Sequence, residues 1–302
     1  EHDSDTQRGS FGAASLWAKT KVLLAGVTMN LIVAFLLFTI LALVGMPQLL
    51  GNQFTVKSDT KVSRQEVLVG LVDANSPASK AGLQQRDQLL SIGPAGHDQA
   101  ITSQDQLPGL TQRYAGQTVQ LTFKHNDKTH QASIRLLSDA AVQASLKTNN
   151  PKGHLGISPT QYSLTRSTWS APIVAVGLIK QVTVATLQGL GRAINSVFHG
   201  QGSQASAQVA GPVGIFVLLK DGSSLGYQFM LAIIAIISLT LALMNILPIP
   251  ALDGGRWFLL LISRIVRRPL SPKVEELVNG AGLALLMLLF FVITIVDVKR
   301  NF

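Results

Sequence analysis

Three stretches of this chain carry no charged residue and are long enough to cross a membrane: Val22 to Met46, Phe229 to Leu247 and Leu277 to Val296. A hydrocarbon core about 30 Å thick takes about 20 helical residues. Within it every backbone polar group must find its partner inside the protein, so each stretch is expected to be a helix. Three such runs in 302 residues are hard to hide in a soluble core. Only 14% of residues are charged, against about 25% in soluble domains. The chain therefore reads as an α-helical protein that crosses a lipid bilayer several times.

The net charge is +9, yet the basic residues form no long run and no stripe interleaved with aromatics, so nucleic acid is not an expected partner. Cysteine is absent, which excludes a disulfide framework and a thiolate metal site.

Composition divides the chain into a polar lead-in (1–21), a first span (22–46), a soluble α/β segment (53–160), an amphipathic helix with a connector (171–211) and a membrane core with two spans (212–302). In the soluble segment "EVLVGLV" (66–72), "TVQLTFKH" (118–125) and "HQASIRLL" (130–137) have strand patterning, and Asn126-Asp127 between the last two marks a turn. "SPASKAGL" (76–83) has the marks of a short helix, with Ser76 as cap and Pro77 at the first position. "SQDQLPGLTQRYA" (103–115) is a second helical stretch. Residues 172–199 have one-sided helical spacing interrupted by Lys180, Gln181 and Arg192, which suits an interfacial helix or one packed on the soluble segment. Arg8, Lys19 and Lys21 precede the first span, and Arg256, Arg264, Arg267, Arg268 and Lys273 lie between the last two. By the positive-inside bias both groups are cytoplasmic, which puts the soluble segment outside the cytoplasm.

The second span closes on "NILPIPALDGG", Asn245 to Gly255. Pro248 and Pro250 lack amide donors and stop the helix. Broken backbone at membrane depth is tolerated only where protein or a water-filled cavity surrounds it. An aspartate there is costly and by default functional. Gly254 and Gly255 allow another backbone, a substrate strand or a metal to come close. The bland alternative is an end-of-span turn in which Asp253 caps the next helix.

"NILPIPALDGG" resembles the Asn-x-x-Pro-x-Pro-x-Leu-Asp-Gly motif of the site-2 protease family, the intramembrane zinc metalloproteases; Asn245, Pro248, Pro250, Leu252, Asp253 and Gly254 match. "AGVTMN" (25–30) is similar to a Gly-Pro-x-x-Asn segment of that family, with Gly26 and Asn30 matching and Val27 in place of the proline. "AGPVGI" (210–215) resembles its Gly-Pro segment, "DANSPASKAGLQQRDQLLSI" (73–92) its PDZ domain, and "HLGISP" (154–159) the Gly-Ile stretch that closes such domains. Arg86-Asp87 stands where the domain usually has Gly-Asp. The likeness runs from about 20 to 300 and points to the bacterial RseP-like branch with one PDZ domain.

The resemblance implies a polytopic α-helical membrane protein with an inserted extracytoplasmic α/β PDZ-like domain, set in a bacterial inner membrane. It implies zinc as cofactor with Asp253 as a ligand. Asn245, Pro248, Pro250 and Asn30 would lie against the substrate, and Gly156 and Ile157 would border a peptide groove. Expected substrates are single-span membrane proteins such as anti-sigma factors or signal-peptide remnants.

One departure is large. The family's first span carries His-Glu-x-x-His, whose histidines bind zinc and whose glutamate activates water. Here none of His2, His97, His125, His130, His154 and His199 has a second histidine four residues on. That span is expected upstream of Glu1, and these 302 residues alone are expected to be inactive. The alternatives are a non-catalytic membrane scaffold binding peptides through its PDZ-like domain, and a transporter, which would show internal repeats.

Overall fold

The computed structural model describes residues 13–126, 128–148, 151–199, 211–266 and 272–301. In chain order its elements are α1 (Leu16–Val44), β1 (Met46–Pro47), β2 (Lys61–Val72), α2 (Pro77–Lys80), β3 (Gln88–Gly93), β4 (Gln99–Ala100), α3 (Gln106–Arg113), β5 (Thr118–His125), β6 (Lys128–Arg135), α4 (Asp139–Leu146) and β7 (Ile157–Arg166). These are followed by α5 (Ala171–Phe198), α6 (Pro212–Gly222), a short 3-10 turn (Ser223–Leu225), α7 (Tyr227–Ile246), α8 (Asp253–Val266) and α9 (Pro272–Asn301). Two compact units result: a helical one from residues 1–60 and 166–302, and a sheet unit from residues 61–165.

Among the described residues of the helical unit, four helices are long and apolar enough to cross a membrane: α1, α5, α7 and α9. α1 begins where the Ser15 hydroxyl accepts from the Ala18 N–H (3.2 Å) and ends at Gly45, whose φ of 141° only glycine adopts readily. Its core face, Ala34, Phe38 and Leu41, meets Ala171, Val174, Ala175, Leu178 and Val182 of α5 and Ala232, Ala235 and Leu239 of α7. The i, i+3/i+4 spacing makes one stripe per helix, and the alanines let backbones approach closely. α5 is thus a fourth long apolar helix, and it packs on α1 and α7. Gln181, one of the residues that breaks its apolar pattern, is satisfied locally. Its amide accepts from the Phe54 N–H (2.7 Å) and donates to the Asn52 carbonyl (2.7 Å).

The start of α5 is held from a distance in sequence. Asp59 accepts from the N–H groups of Thr168 (2.7 Å) and Ser170 (3.0 Å) and from both of their hydroxyls. The Ser170 hydroxyl, then the Thr168 hydroxyl, hold its carboxyl far below the usual carboxylate range. A depressed folded-state pKa gives stability that is complete above the unfolded value, about 3.9 for Asp, and drains away as pH falls below it. Asp59→Asn is therefore expected to speed amide hydrogen exchange at Thr168 to Val174 at neutral pH, with the gap to the native protein narrowing below about pH 4. A gap that widens in acid would refute the clamp.

At the other end, the buried Asp297 of α9 accepts from the Gly214 N–H (2.7 Å) in the first turn of α6. A Cβ on Gly211 would stand 2.8 Å from the same carboxylate.

The sheet unit has strand order β7-β2-β3-β5-β6, with β4 on β3. The strands pair antiparallel at β2–β3, β3–β5 and β5–β6. Val67 and Val69 of β2, Val119, Leu121 and Phe123 of β5 and Ile134 of β6 point to one core with Leu83 and Leu107, and so do Leu89 and Ile92 of β3, where an irregularity between Leu89 and Ser91 breaks the alternation. β5 and β6 form a hairpin in register His125↔Lys128. Asn126 takes φ 47°, as a tight two-residue turn needs; its partner Asp127 lies outside the described residues. Ser76 caps α2 by accepting from the Ser79 N–H (3.1 Å), with Pro77 in the first turn. The described residues thus combine helices long and apolar enough to cross a membrane with a separate domain built on antiparallel strand pairs.

The Arg86-Asp87 turn explains its own oddity. Arg86 has φ 75°, the left-handed region. Asp87 is buried, accepts from the Gln84 N–H (2.8 Å) and meets His125 Nδ1 at 2.6 Å. A non-glycine residue in that region costs about 1–2 kcal/mol, and glycine adds about 0.5–1 kcal/mol of chain entropy to the cost of folding. Arg86→Gly is expected to stabilise the sheet unit by the difference, about 0.5–1 kcal/mol, read as a raised denaturant midpoint.

Candidate metal and substrate site in the helical unit

α7 ends at Ile246, and Leu247 is already extended (ψ 147°). Neither Pro248 nor Pro250 can supply a helical N–H, so the chain turns back through Leu247 N–H to Met244 O (3.3 Å), Ile249 N–H to Leu247 O (2.7 Å) and Leu252 N–H to Ile249 O (3.2 Å). Ala251 sits at φ 74°, an unusual backbone for a non-glycine residue. α8 then starts at Asp253.

The two glycines show what comes close. A Cβ on Gly254 would lie 2.5 Å from the Ile246 carbonyl carbon and the Leu247 oxygen, and one on Gly255 would lie 2.0 Å from the Ile249 oxygen. Of the approaches that the sequence left open, the structure shows the chain's own: the first turn of α8 is seated on the 246–250 backbone. On the far side, a Cβ on Gly282 of α9 would fall 2.5 Å from Pro250 Cβ. Gly282 went unnoticed in the sequence, although a glycine inside the apolar run of the last span was a signal of close packing.

Asp253 is half-buried, and its carboxylate faces α1: Oδ2 lies 3.8 Å from where a Cβ on Gly26 would be. One turn along, the Trp257 indole N–H donates to the Thr20 hydroxyl (3.2 Å). Contacts that advance on α8 while retreating on α1 mean that the two helices run antiparallel here. Asn30 is half-buried one turn beyond Gly26, on the same side of α1 by helical spacing. Asn245 is half-buried at the end of α7, and Pro248 and Pro250 are exposed beside it. The structure thus joins the Leu-Asp-Gly turn to the Gly26–Asn30 segment around one carboxylate.

Among the described residues no three His, Cys, Asp or Glu side chains gather to hold a metal. Asp253 is a carboxylate ending at the Gly26 gap, which fits one ligand of a metal and not a whole set. Four of the five described histidines are engaged elsewhere, His125 with Asp87, His154 Nε2 with Asp139 (2.9 Å), His199 with the Asn195 carbonyl (2.8 Å) and His130 stacked on Phe123, and the fifth, His97, is exposed in the sheet unit.

Gly156 and Ile157 belong to the sheet unit. Gly156 has φ 75°, and a Cβ there would lie 2.2 Å from Ser76 Cβ. Its carbonyl accepts from the Asp73 N–H (3.0 Å), and the Leu155 carbonyl accepts from Ala78 (3.0 Å). These bonds fasten the loop before β7 to the start of α2, and Ile157 packs against the sheet core.

Residues 1–289 match the sequence profile of Peptidase family M50, and the chain belongs to that family. Among curated proteins it is 28% identical over 293 residues to the zinc metalloprotease RasP of Shouchella clausii (97% of this chain, 62% of that protein). It is 27% identical over 296 residues to the regulator of sigma-W protease RasP of Bacillus subtilis (97% and 61%). With a putative zinc metalloprotease of Neisseria meningitidis it shares 30% over 242 residues (77% and 51%). The chain spans about three fifths of the length of the first of these relatives. Among solved structures it is similar to the PDZ domain of an SdrC-like protein from Listeria monocytogenes: 26% identity, 33% of this chain, 93% of that one, TM-score 0.25.

Proposed function

We propose that this chain supplies one side of the active site of an intramembrane zinc endopeptidase in a bacterial inner membrane. The observation that carries the reading is the Asp253 carboxylate, delivered by a proline-broken helix end to the Gly26 gap of α1. Asp253 is the zinc ligand that this chain provides. The other ligands, two histidines, and the general-base glutamate lie outside these 302 residues, which contain no His-Glu-x-x-His. When bound, zinc supplies a polarised water as nucleophile and a Lewis acid for the scissile carbonyl. The chain's own residues do the rest. Pro248 and Pro250 keep α7 from continuing, so carbonyls near Leu247 and Ile249 stay in an irregular backbone. Asn245 and Asn30 offer side-chain amides to an unwound substrate strand. A substrate helix must unwind there to expose its scissile bond.

The sheet unit serves as a filter on substrates, with Gly156 and Ile157 beside a peptide groove. Single-span proteins, such as anti-sigma factors or signal-peptide remnants, are the substrate class.

The test uses a protein carrying this chain together with an upstream His-Glu-x-x-His span, reconstituted in liposomes with a single-span substrate. Cleavage is expected to stop on chelation and to return with stoichiometric zinc. Cleavage that survives complete metal removal would overturn the reading.

A further inference from the structure

Among the described residues β6 is an edge strand paired with β5. Just past its end the Leu136 N–H donates to the Gln117 carbonyl (3.0 Å). That sets the alternation: Ile134 and Leu136 turn their peptide groups toward β5, and Ser133 and Arg135 turn theirs outward. Among the described residues no backbone group takes up those of Ser133 and Arg135, and the open edge ends there, because the Leu137 N–H donates to the His154 carbonyl (2.9 Å). An unpaired edge is a template for another strand.

A cleft of about 450 Å³ lies along this edge, lined by Ser133, Arg135 and Leu136 on the strand side and by Pro77, Lys80 and Ala81 across from it. Lys80 and Arg135 are exposed, and no carboxylate lines the cleft. Asp139, next in sequence to the lining residue Ser138, is engaged by His154. The opposite edge strand of this unit is less available. In β7 the Gln161 N–H is taken by the Gln104 side chain (2.9 Å), while the Gln161 side chain takes the Gln104 N–H (3.0 Å). Two residues back, Pro159 has no N–H.

We propose that the outer edge of β6 and its cleft bind an extended acidic peptide, added as one further strand. The pattern follows from the strand period. Residues of the added strand beside Ala132 and Ile134 lie over the apolar side, and their neighbours stand beside Ser133 and Arg135, so alternating apolar and acidic residues fit. Strand hydrogen bonds give affinity, and the two cations choose the sign of the partner. This inference stands apart from the protease reading, since binding is measured without cleavage.

The experiment uses the full chain in neutral detergent with three fluorescent peptides: alternating Glu-Val, alternating Lys-Val, and the Glu-Val peptide with alternate amides N-methylated. The Glu-Val peptide is expected to bind, less tightly as salt rises. The Lys-Val and N-methylated peptides are each expected to bind at least about tenfold more weakly, as is the Glu-Val peptide to the Lys80→Glu/Arg135→Glu variant. Equal binding of the N-methylated peptide would overturn strand addition, because it shows attraction without backbone pairing. Undiminished binding to the double variant would overturn the placement. Competition by phosphatidylglycerol added as mixed micelles, dependent on Lys80 and Arg135, would make this face a lipid-contacting patch and overturn the peptide.

Discussion

Replacing Asp253 by alanine in a complete, zinc-loaded protein is expected to reduce peptide-bond cleavage by more than about a hundredfold and to lower zinc content in parallel. Loss of an outer-shell partner of a metal ligand already costs about 10–100-fold, and Asp253 would be a ligand itself. A zinc site with three protein ligands keeps too few donors after losing one to fix its geometry. The substitution leaves the architecture in place, because what holds the first turn of α8 is Gly254 and Gly255 against the 246–250 backbone. Asp253→Asn separates charge from shape, and cleavage is expected to fall there too, since a neutral amide oxygen is a poorer zinc donor than a carboxylate. Full activity in Asp253→Ala would reduce Asp253 to a helix-start residue.

Gly255→Ala is expected to cost about a hundredfold in cleavage without touching any ligand. Its Cβ would stand 2.0 Å from the Ile249 oxygen and 2.6 Å from the Ile249 carbonyl carbon, both backbone atoms. They cannot rotate away, so α8 must lift from the turn and carry Asp253 with it. Misplacing a catalytic group by about 1 Å is enough for a loss of that size. The matched control is Gly280→Ala, where a Cβ meets nothing within 4 Å. That change favours helix formation and is expected to leave activity unchanged. If the two alanines behaved alike, the tight seat of α8 would have no part in positioning Asp253.

The Leu-Asp-Gly turn was legible because its chemistry is local: two prolines and two glycines around one aspartate declare a helix end within a few residues. The hairpin at Asn126 and the capped helix at Ser76 were legible for the same reason. What stayed hidden depends on partners remote in sequence. α5 read as an interfacial or domain-packed helix because Lys180 and Gln181 break its apolar run, and no local rule shows Gln181 meeting Asn52 and Phe54. Asp59 as the clamp on Thr168 and Ser170 could not be read, because those partners lie over a hundred residues away. α4 is the reverse case. Ser138 accepts from the Ala141 N–H (3.3 Å) as an ordinary cap, and the signal was in plain view. In the site, Gly26 opposite Asp253 fits the matched motif segments. That Gly254 and Gly255 admit the protein's own backbone needed the fold.

The carboxylate of Asp297 on the Gly214 N–H has a consequence for how the helical unit is assembled. The first turn of α6 has donors that its own helix cannot satisfy, and the group that takes up Gly214 arrives about eighty residues later in synthesis, near the end of α9. During insertion the Gly214 N–H is therefore made before its Asp297 partner, while α7, the Leu-Asp-Gly turn and α8 are added. Only when the last helix enters does the Asp297 side chain reach that turn, and Gly211 leaves room for it. The final helix acts as a latch on a segment already in place, so the unit closes late and from its C-terminal side.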